Sequence, residues 1–556
     1  MFFFFCFLCR PGYFLAFFAL FRLSGLFIQC SSDQLIGKTL SALMSSSKLF
    51  SEMDSVQNVG ISAIEIYFPK NVVNQADLEQ FDNCAKGKYT IGLGQEQMGF
   101  CADNEDVVSI SLTVTDGLLR KYNIDPCSIG FLAVGTETLI DKSKSVKTEL
   151  MRLFRDNSDI EGVDVKNACF GGTQAVFHAI DWVYANYSTE KRNAIAVLAD
   201  IAVYESGPAR PTGGAGAIAV LITPDAPIAF DRGLRATYMA SSWDFYKPIS
   251  KISTEYPVVD GPVSLQSYMN ALDSCYACYK QKALKIYGEE FRWLRREKVV
   301  DFIFELTTSI NYLWELMCSD ISLSSFSAAM FHSPFARMVQ KAIARLTYRD
   351  YENGKGEYSS FYSKLGVLSQ SSFEDREVMR CLLKGSETLW EQKTSPFLVL
   401  NRRIGNMYTP SLFAQLVVYL AARPVDNSSR ILLFAYGSGS ASAMFSVSIN
   451  DHQDECLSRM REVCSCAIAR LDERSECTPE TYSETMRMRE AFLASDVPVV
   501  PKANGSGQLS KTLFPGTYYL TSLDERYRRS YDFMDFCDAS DNHMIIANGV
   551  REVGSS

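Results

Sequence analysis

Residues 106–138 read DVVSISLTVTDGLLRKYNIDPCSIGFLAVGTET, a helix followed by a buried strand, and this pairing decides the fold class. From Asp106 to Tyr122 the apolar residues recur at helical spacing, and Asn123 and Pro126 close the run. Ile129 to Val134 is short and continuously apolar, the form of a strand buried on both faces. It runs into Gly135-Thr136-Glu137-Thr138, so a strand delivers Glu137 at its end. The same rhythm extends outward. Gly60 to Phe68 reads as a first strand, Ala194 to Leu198 as a buried strand ending at Asp200, and Ala217 to Ile222 as another after the turn Thr212-Gly213-Gly214. The second half repeats it with strand Phe326 to Phe331, helices Ala336 to Leu346 and Leu412 to Ala422, and strand Ile431 to Tyr436 entering Gly437-Ser438-Gly439. Strands alternating with helices make an α/β protein, and its two halves are alike in order. Asp451 to Glu490 is charged and helical in pattern, and the tail beyond Tyr531 is expected to be loosely held.

With 556 residues, 47% of them hydrophobic and 21% charged, the chain is long enough for a large core and unlike a disordered or multi-span membrane protein. Fifty-five basic against 64 acidic residues leave a net charge of −9, so no basic field exists to hold nucleic acid. The 16 cysteines lack a repeating spacing. Cys275 and Cys278 form a CxxC with no second pair at zinc-ribbon distance, so no metal site is expected. The first 30 residues are the outlier, with apolar runs Phe2 to Leu8 and Tyr13 to Phe21 broken by Arg10-Pro11 and no acidic residue before Asp33. They match neither a secretory signal, a membrane span nor a transit peptide well. Residues 1–53 are therefore expected to lie outside the folded core, upstream of Met53, with targeting and membrane anchoring as alternatives.

Four residue types with chemical potential stand at element ends. Cys169, in Asn167-Ala168-Cys169-Phe170-Gly171-Gly172-Thr173, precedes a helical pattern from Gln174 to Tyr187. A helix N-terminus favours the thiolate, and the two glycines let a thioester lie close to the backbone, although an inert buried cysteine fits the local pattern as well. Glu137 becomes a general base if desolvated, because burial raises a carboxyl pKa toward neutrality. His332 follows a strand and precedes Ser333-Pro334, the proline expected just inside a helix start. Arg337 and Lys341 are four apart on that helix and suit a phosphate as well as they suit solvent. Asn406, Tyr408 and Ser411 precede another helix, where an N-cap is the plainer role for Ser411. Each alone is weak. Together they form the pattern of a thioester condensing site: cysteine accepts the acyl group, a carboxylate removes the α-proton, and histidine and asparagine hydrogen-bond the developing oxyanions.

Longer strings carry a family resemblance. GISAIEIYFP (60–69), KYTIGLGQ (88–95), VGTETLIDKSKSVKTELM (134–151), NACFGGT (167–173), ARPTGGAGA (209–217), DFYKP (244–248), FHSPFARMVQKAIARL (331–346), GNMYTPS (405–411), YGSGSASA (436–443) and LFPGTYYL (513–520) resemble hydroxymethylglutaryl-CoA synthases in the family's order. The resemblance implies the thiolase fold, two duplicated αβα halves forming a five-layered αβαβα core, here residues 54–230 and 231–531 with a tail at 532–556. It implies an acyltransferase condensing acetyl-CoA with acetoacetyl-CoA, with Cys169 as acetyl-accepting nucleophile, Glu137 as base and His332 as acid. It places Thr212, Ser264, Arg337, Lys341, Asn406 and Ser438 at substrate or CoA, with Asp141, Asp200, Asp244, Tyr204 and Tyr408 in support. It implies no metal or organic cofactor, a homodimer, a place in mevalonate and sterol synthesis, and a cytoplasmic location with the mitochondrion as alternative. A membrane enters only if the N-terminal apolar stretch is retained.

Three positions depart from the family pattern: Phe170 where tyrosine is usual, Arg337 for lysine and Pro208 for asparagine. None touches Cys169, Glu137 or His332, so activity is expected to survive with altered affinity or turnover. The alternatives are another thiolase-fold condensing enzyme and a catalytically impaired CoA-binding homologue.

Overall fold

The structure is a computed structural model that describes residues 56–248, 255–296, 321–354, 359–366, 368, 372, 375–422, 429–449, 454–505, 507 and 509–535. The N-terminal extension expected at 1–53 and the tail from 536 onward lie outside them. One compact unit, Gln57–Lys285 with Ser319–Ser556, holds every described strand. A second, Met1–Val56 with Ile286–Cys318, enters the description only at Val56 and the far end of one helix.

Ten strands form one mixed sheet: β1 (Gly60–Tyr67), β2 (Ile129–Gly135), β3 (Glu161–Val165), β4 (Asn193–Ala202), β5 (Gly214–Thr223), β6 (Ile228–Phe230), β7 (Ala236–Met239), β8 (Ala328–Phe331), β9 (Arg430–Gly437) and β10 (Ala441–Ile449). Their order is β8-β9-β10-β6-β1-β5-β4-β2-β3, with β7 beside β10. From β1 outward the steps to β5, β4 and β2 run antiparallel, antiparallel, parallel. From β6 outward the steps to β10, β9 and β8 run in the same senses. The two halves are thus built alike, and they join where Gly60 pairs Ala229 and Ile61 pairs Ile228.

This duplication positions the site. β2 and β8 occupy equivalent places, and Glu137 and His332 follow them directly. Each parallel step needs a crossover, which brings a helix back over the sheet. Helix α1 (Val107–Lys121) precedes β2, α2 (Gly171–Glu190) leads into β4, α3 is Gly261–Arg296, α4 (Ala336–Glu352) follows β8, and α5 (Phe413–Ala422) leads into β9. Cys169 stands before α2, and Asn406 before α5. Two pairs of functional residues therefore arise from one pattern used twice.

Strand β4 continues through Asp200 to Ala202, beyond the end expected at Asp200. Helix α4 starts at Ala336 with Phe335 as its N-cap, so Pro334 lies just outside rather than inside it. The run expected to be helical over 451–490 is two helices, Asp454–Ala469 and Pro479–Leu493, the second ending past it, separated by the short strand Ser475–Cys477. The chain beyond Tyr531 is held at least to Met534, whose N–H donates to Thr517 O (2.9 Å) and whose side chain is buried. The Tyr531 hydroxyl also donates to Asp106, whose other carboxylate oxygen accepts from Ser109 N to cap α1. The last hairpin and the first long helix share one carboxylate.

Candidate active site

Ala168 has φ +43°, a left-handed conformation uncommon without glycine, and this turn sets Cys169 two residues before α2. The elements approach closely here: a Cβ on Gly135 would lie 2.5 Å from Gly172 Cα, and one on Gly437 would lie 2.5 Å from Phe170 N. Only glycine at these positions lets the end of β2, the end of β9 and the start of α2 meet.

Cys169 Sγ donates to Glu137 Oε1 at 3.3 Å, joining the nucleophile and base read from the sequence. Glu137 is buried, and burial pushes its carboxyl up to about 7, with Lys247 opposing the rise and Asp200 adding to it. Lys247 Nζ stands 3.7 Å from the other oxygen, Oε2. The expectation that the helix N-terminus would favour a thiolate is corrected. Burial, then the charges of Glu137 and Asp200, push the Cys169 thiol well above its ordinary range, so at neutral pH it is an S–H that donates to a carboxylate.

Asp200, fully buried, organises the loop after β2. Its Oδ1 accepts from Thr136 Oγ1 (2.9 Å), Glu137 N (2.8 Å), Thr138 N (3.0 Å) and Thr138 Oγ1 (2.8 Å). Its Oδ2 accepts from Thr409 N (3.1 Å) and Thr409 Oγ1 (2.5 Å). One carboxylate thus ties the Glu137 loop of the first half to the turn before α5 of the second. In that turn Asn406 Oδ1 accepts from Tyr408 N and Ser411 Oγ, both at 2.9 Å, which orients the asparagine. Asn406 N in turn donates to Thr212 O at 3.2 Å. Ser411 is therefore a partner of Asn406, and its N-cap alternative is not needed. Tyr204 and Tyr408, 6.3 Å apart between ring centroids, form a small apolar cluster with Ala202 against which Cys169 and Phe245 pack.

His332 is 3% exposed, and burial pushes its ring down to about 3, so it is a neutral imidazole. Its backbone N–H donates to Phe434 O, and its carbonyl accepts from the Tyr268 hydroxyl (2.9 Å). Asp244 is fully buried and accepts from Tyr436 OH and Gly439 N, both 2.9 Å, beside the loop that carries Ser438. Ser264 is on the first turn of α3, where its N–H donates to Asp260 O (2.9 Å), and Arg337 and Lys341 are on α4. Lys341 is pushed down by burial and by Arg337 beside it. Asp141 is not brought into the cluster: it is exposed, and its carboxylate accepts from Ser143 N and Lys144 N. Phe170 is buried and Pro208 exposed. Lys247 and Thr409 are site residues that sequence reasoning missed, although the strings DFYKP and GNMYTPS contain them. Among the described residues no three His, Cys, Asp or Glu side chains group as metal ligands, and no helix is long and apolar enough to cross a membrane.

Two family models match the chain, Hydroxymethylglutaryl-coenzyme A synthase N terminal over residues 55–227 and Hydroxymethylglutaryl-coenzyme A synthase C terminal over 228–305 and 298–534. The hydroxymethylglutaryl-CoA synthase of Caenorhabditis elegans is 51% identical over 478 residues, covering 86% of this chain and 94% of the relative. The cytoplasmic hydroxymethylglutaryl-CoA synthase of Homo sapiens is 41% identical over 488 residues, covering 85% and 87%. Among solved structures, MvaS in complex with 3-hydroxy-3-methylglutaryl coenzyme A is similar with a TM-score of 0.68 and 27% identity, covering 86% of this chain and 100% of that one. A thiol on a base where two duplicated halves meet, within a chain that the two models together match over residues 55–534, places it in one family: the chain belongs to the hydroxymethylglutaryl-CoA synthases.

Proposed function

We infer that this chain condenses acetyl-CoA with acetoacetyl-CoA and water to give (S)-3-hydroxy-3-methylglutaryl-CoA and CoA, as an acyltransferase that works through an acetyl-cysteine. The observation that carries this is the Cys169 thiol donating to Glu137 at 3.3 Å in a chain of this family. As the sulfur attacks the acetyl-CoA carbonyl, its proton passes to Glu137 Oε1, the bond to CoA sulfur breaks, and the departing thiolate takes that proton. Glu137, again a carboxylate, then removes a proton from the acetyl methyl group, and the carbon attacks the ketone of acetoacetyl-CoA. His332, neutral, donates its ring proton to the alkoxide and is reprotonated as Glu137 releases the methyl proton. Water then cleaves the thioester, freeing the product carboxylate and the thiol.

Asn406 is assigned to holding the acetoacetyl group, and Thr212, Ser264 and Ser438 to the substrate chain. A CoA phosphate between Arg337 and Lys341 would offset the burial and the Arg337 repulsion that together lower Lys341. These steps use the thioester's own activation, so the mechanism calls on no metal or organic cofactor. A homodimer is proposed as well, with β3 at the end of the sheet and Val163 exposed on it as its natural edge. The reaction supplies the mevalonate route, and the cytoplasmic naming of the human relative supports that compartment, with the mitochondrion as the alternative.

The test is incubation with radiolabelled acetyl-CoA, mapping of the label, and addition of acetoacetyl-CoA. Label on Cys169, its absence in Cys169→Ala, and formation of the product are the expected results. Label without product would indicate a different condensing partner, and no label would indicate an impaired CoA-binding homologue.

A further inference from the structure

One cation beside the catalytic pair has no part in the steps above. Lys247 sits on a short strap whose two-residue strand Phe245–Tyr246 pairs antiparallel with Val258–Val259. The strap is tied down on its inner side. Asp244 holds Tyr436 and Gly439, its carbonyl accepts from Asp260 N (2.9 Å), and the Phe245 ring stands 5.7 Å from that of Tyr408. From there the Lys247 ammonium lies 4.7 Å from the Tyr408 ring centroid and 3.7 Å from Glu137 Oε2.

We propose that Lys247 is a positioning residue for the reaction, pairing with Glu137 Oε2 from the strap so that the base stays charged and turns Oε1 toward the Cys169 sulfur. The proposal rests on Glu137 being the base. The titratable groups around Glu137 are Cys169 from the turn before α2, Asp200 from β4, Tyr204 just beyond β4, Tyr408 from the turn before α5, and Lys247 from the strap. Lys247 is the cation among them, and Asp200 is a second negative charge. Burial, the largest influence, raises the Glu137 carboxyl, and the Lys247 charge is the next largest and opposes it. A base that must shed a proton twice per turnover needs that opposition, because without it the buried carboxyl would rest protonated beside Asp200. The Tyr408 ring face helps hold the ammonium in place without neutralising it.

The experiment compares full-length Lys247→Met and Lys247→Arg with the parent chain, measuring kcat/KM against pH and the rate of Cys169 acetylation. In Lys247→Met the acid limb moves up by about 1–3 pH units, the effect of losing an opposite charge at this range, and the rate recovers in alkali. Lys247→Arg keeps the limb near its parent position, and KM for both thioesters is unchanged in each. An unmoved limb with a uniformly lower rate, or an unmoved limb with a raised KM, overturns the proposal in favour of a structural or CoA-binding lysine. Glu137→Gln separates the two levels: a fully active Glu137→Gln removes the base assignment itself, whereas an inactive one beside an unmoved Lys247→Met limb removes only the role of Lys247.

Discussion

A carboxyl that takes a proton from carbon works best when its pKa lies near the working pH, and Glu137 is brought there by burial. The sign follows from its task. The base must be charged, so activity falls as pH drops through about 7, the value to which burial raises it. We expect kcat/KM to show an acid limb near that pH, and Glu137→Gln to lose about 10²–10⁴-fold of the condensation rate with the limb abolished. An acid limb that survives in Glu137→Gln would assign it to another group. His332 is not that group, since its buried ring is already neutral far below this range. At this scale the sequence was informative about residue types at element ends, and Cys169, Glu137, His332 and Asn406 all lie at such ends. It misled about the thiol, because the pull of a helix N-terminus is local whereas burial and two neighbouring carboxylates depend on the whole fold. Lys247 was illegible for a related reason: nothing periodic marks a strap, and its direction is set by where Asp244 and Phe245 are tied.

Among the elements, two departures from expectation share one cause, a polar group satisfied at long range. Asp200 reads as the end of a strand, yet β4 runs through it because six donors from two loops satisfy its carboxylate inside the core. The chain after Tyr531 reads as loose because the hairpin it ends is anchored at Tyr531 by Asp106, 425 residues earlier in the chain. The buried strands and the helix before β2 were legible because continuous apolar runs and helical periodicity need no distant partner. Asp200→Ala should therefore act as a break in the clamp. It removes the acceptor of the Thr136, Thr138 and Thr409 hydroxyls and of the Glu137, Thr138 and Thr409 N–H groups, and a buried donor left without a partner costs about 1–3 kcal/mol. We expect a loss of at least about 3 kcal/mol in denaturant unfolding, together with a fall in kcat as the Glu137 loop loses its fixed position. An unchanged unfolding midpoint would mean that water replaces the carboxylate and that the clamp is dispensable.

The whole molecule depends on how two alike halves are joined, and the joint in the sheet is short: two residue pairs, with Gly60 at its edge. A Cβ on Gly60 would sit 1.9 Å from Ile228 O and 2.7 Å from Ala229 Cα, and both obstacles are backbone. Gly60→Ala must therefore push β6 away from β1, and overpacking of this kind costs about 1–3 kcal/mol. Because β6 carries β10, and β1 carries β5, the strain falls on the seam rather than on either half. Hydrogen exchange should speed up in residues 214–223 and 441–449 together, and loss confined to one of them would mean that the halves are held chiefly by other contacts. The catalytic consequence separates the two chemical steps. Cys169 and Glu137 both come from the first half, so the acetylating pair itself does not span the seam, whereas condensation also needs His332 and Asn406 from the second. Gly60→Ala should leave Cys169 labelling by acetyl-CoA near the parent rate while lowering product formation several-fold, because misplacement of about 1 Å between reacting groups is enough for a large loss. Equal loss in both steps would mean that the Asp200–Thr409 tie transmits the strain into the Glu137 loop.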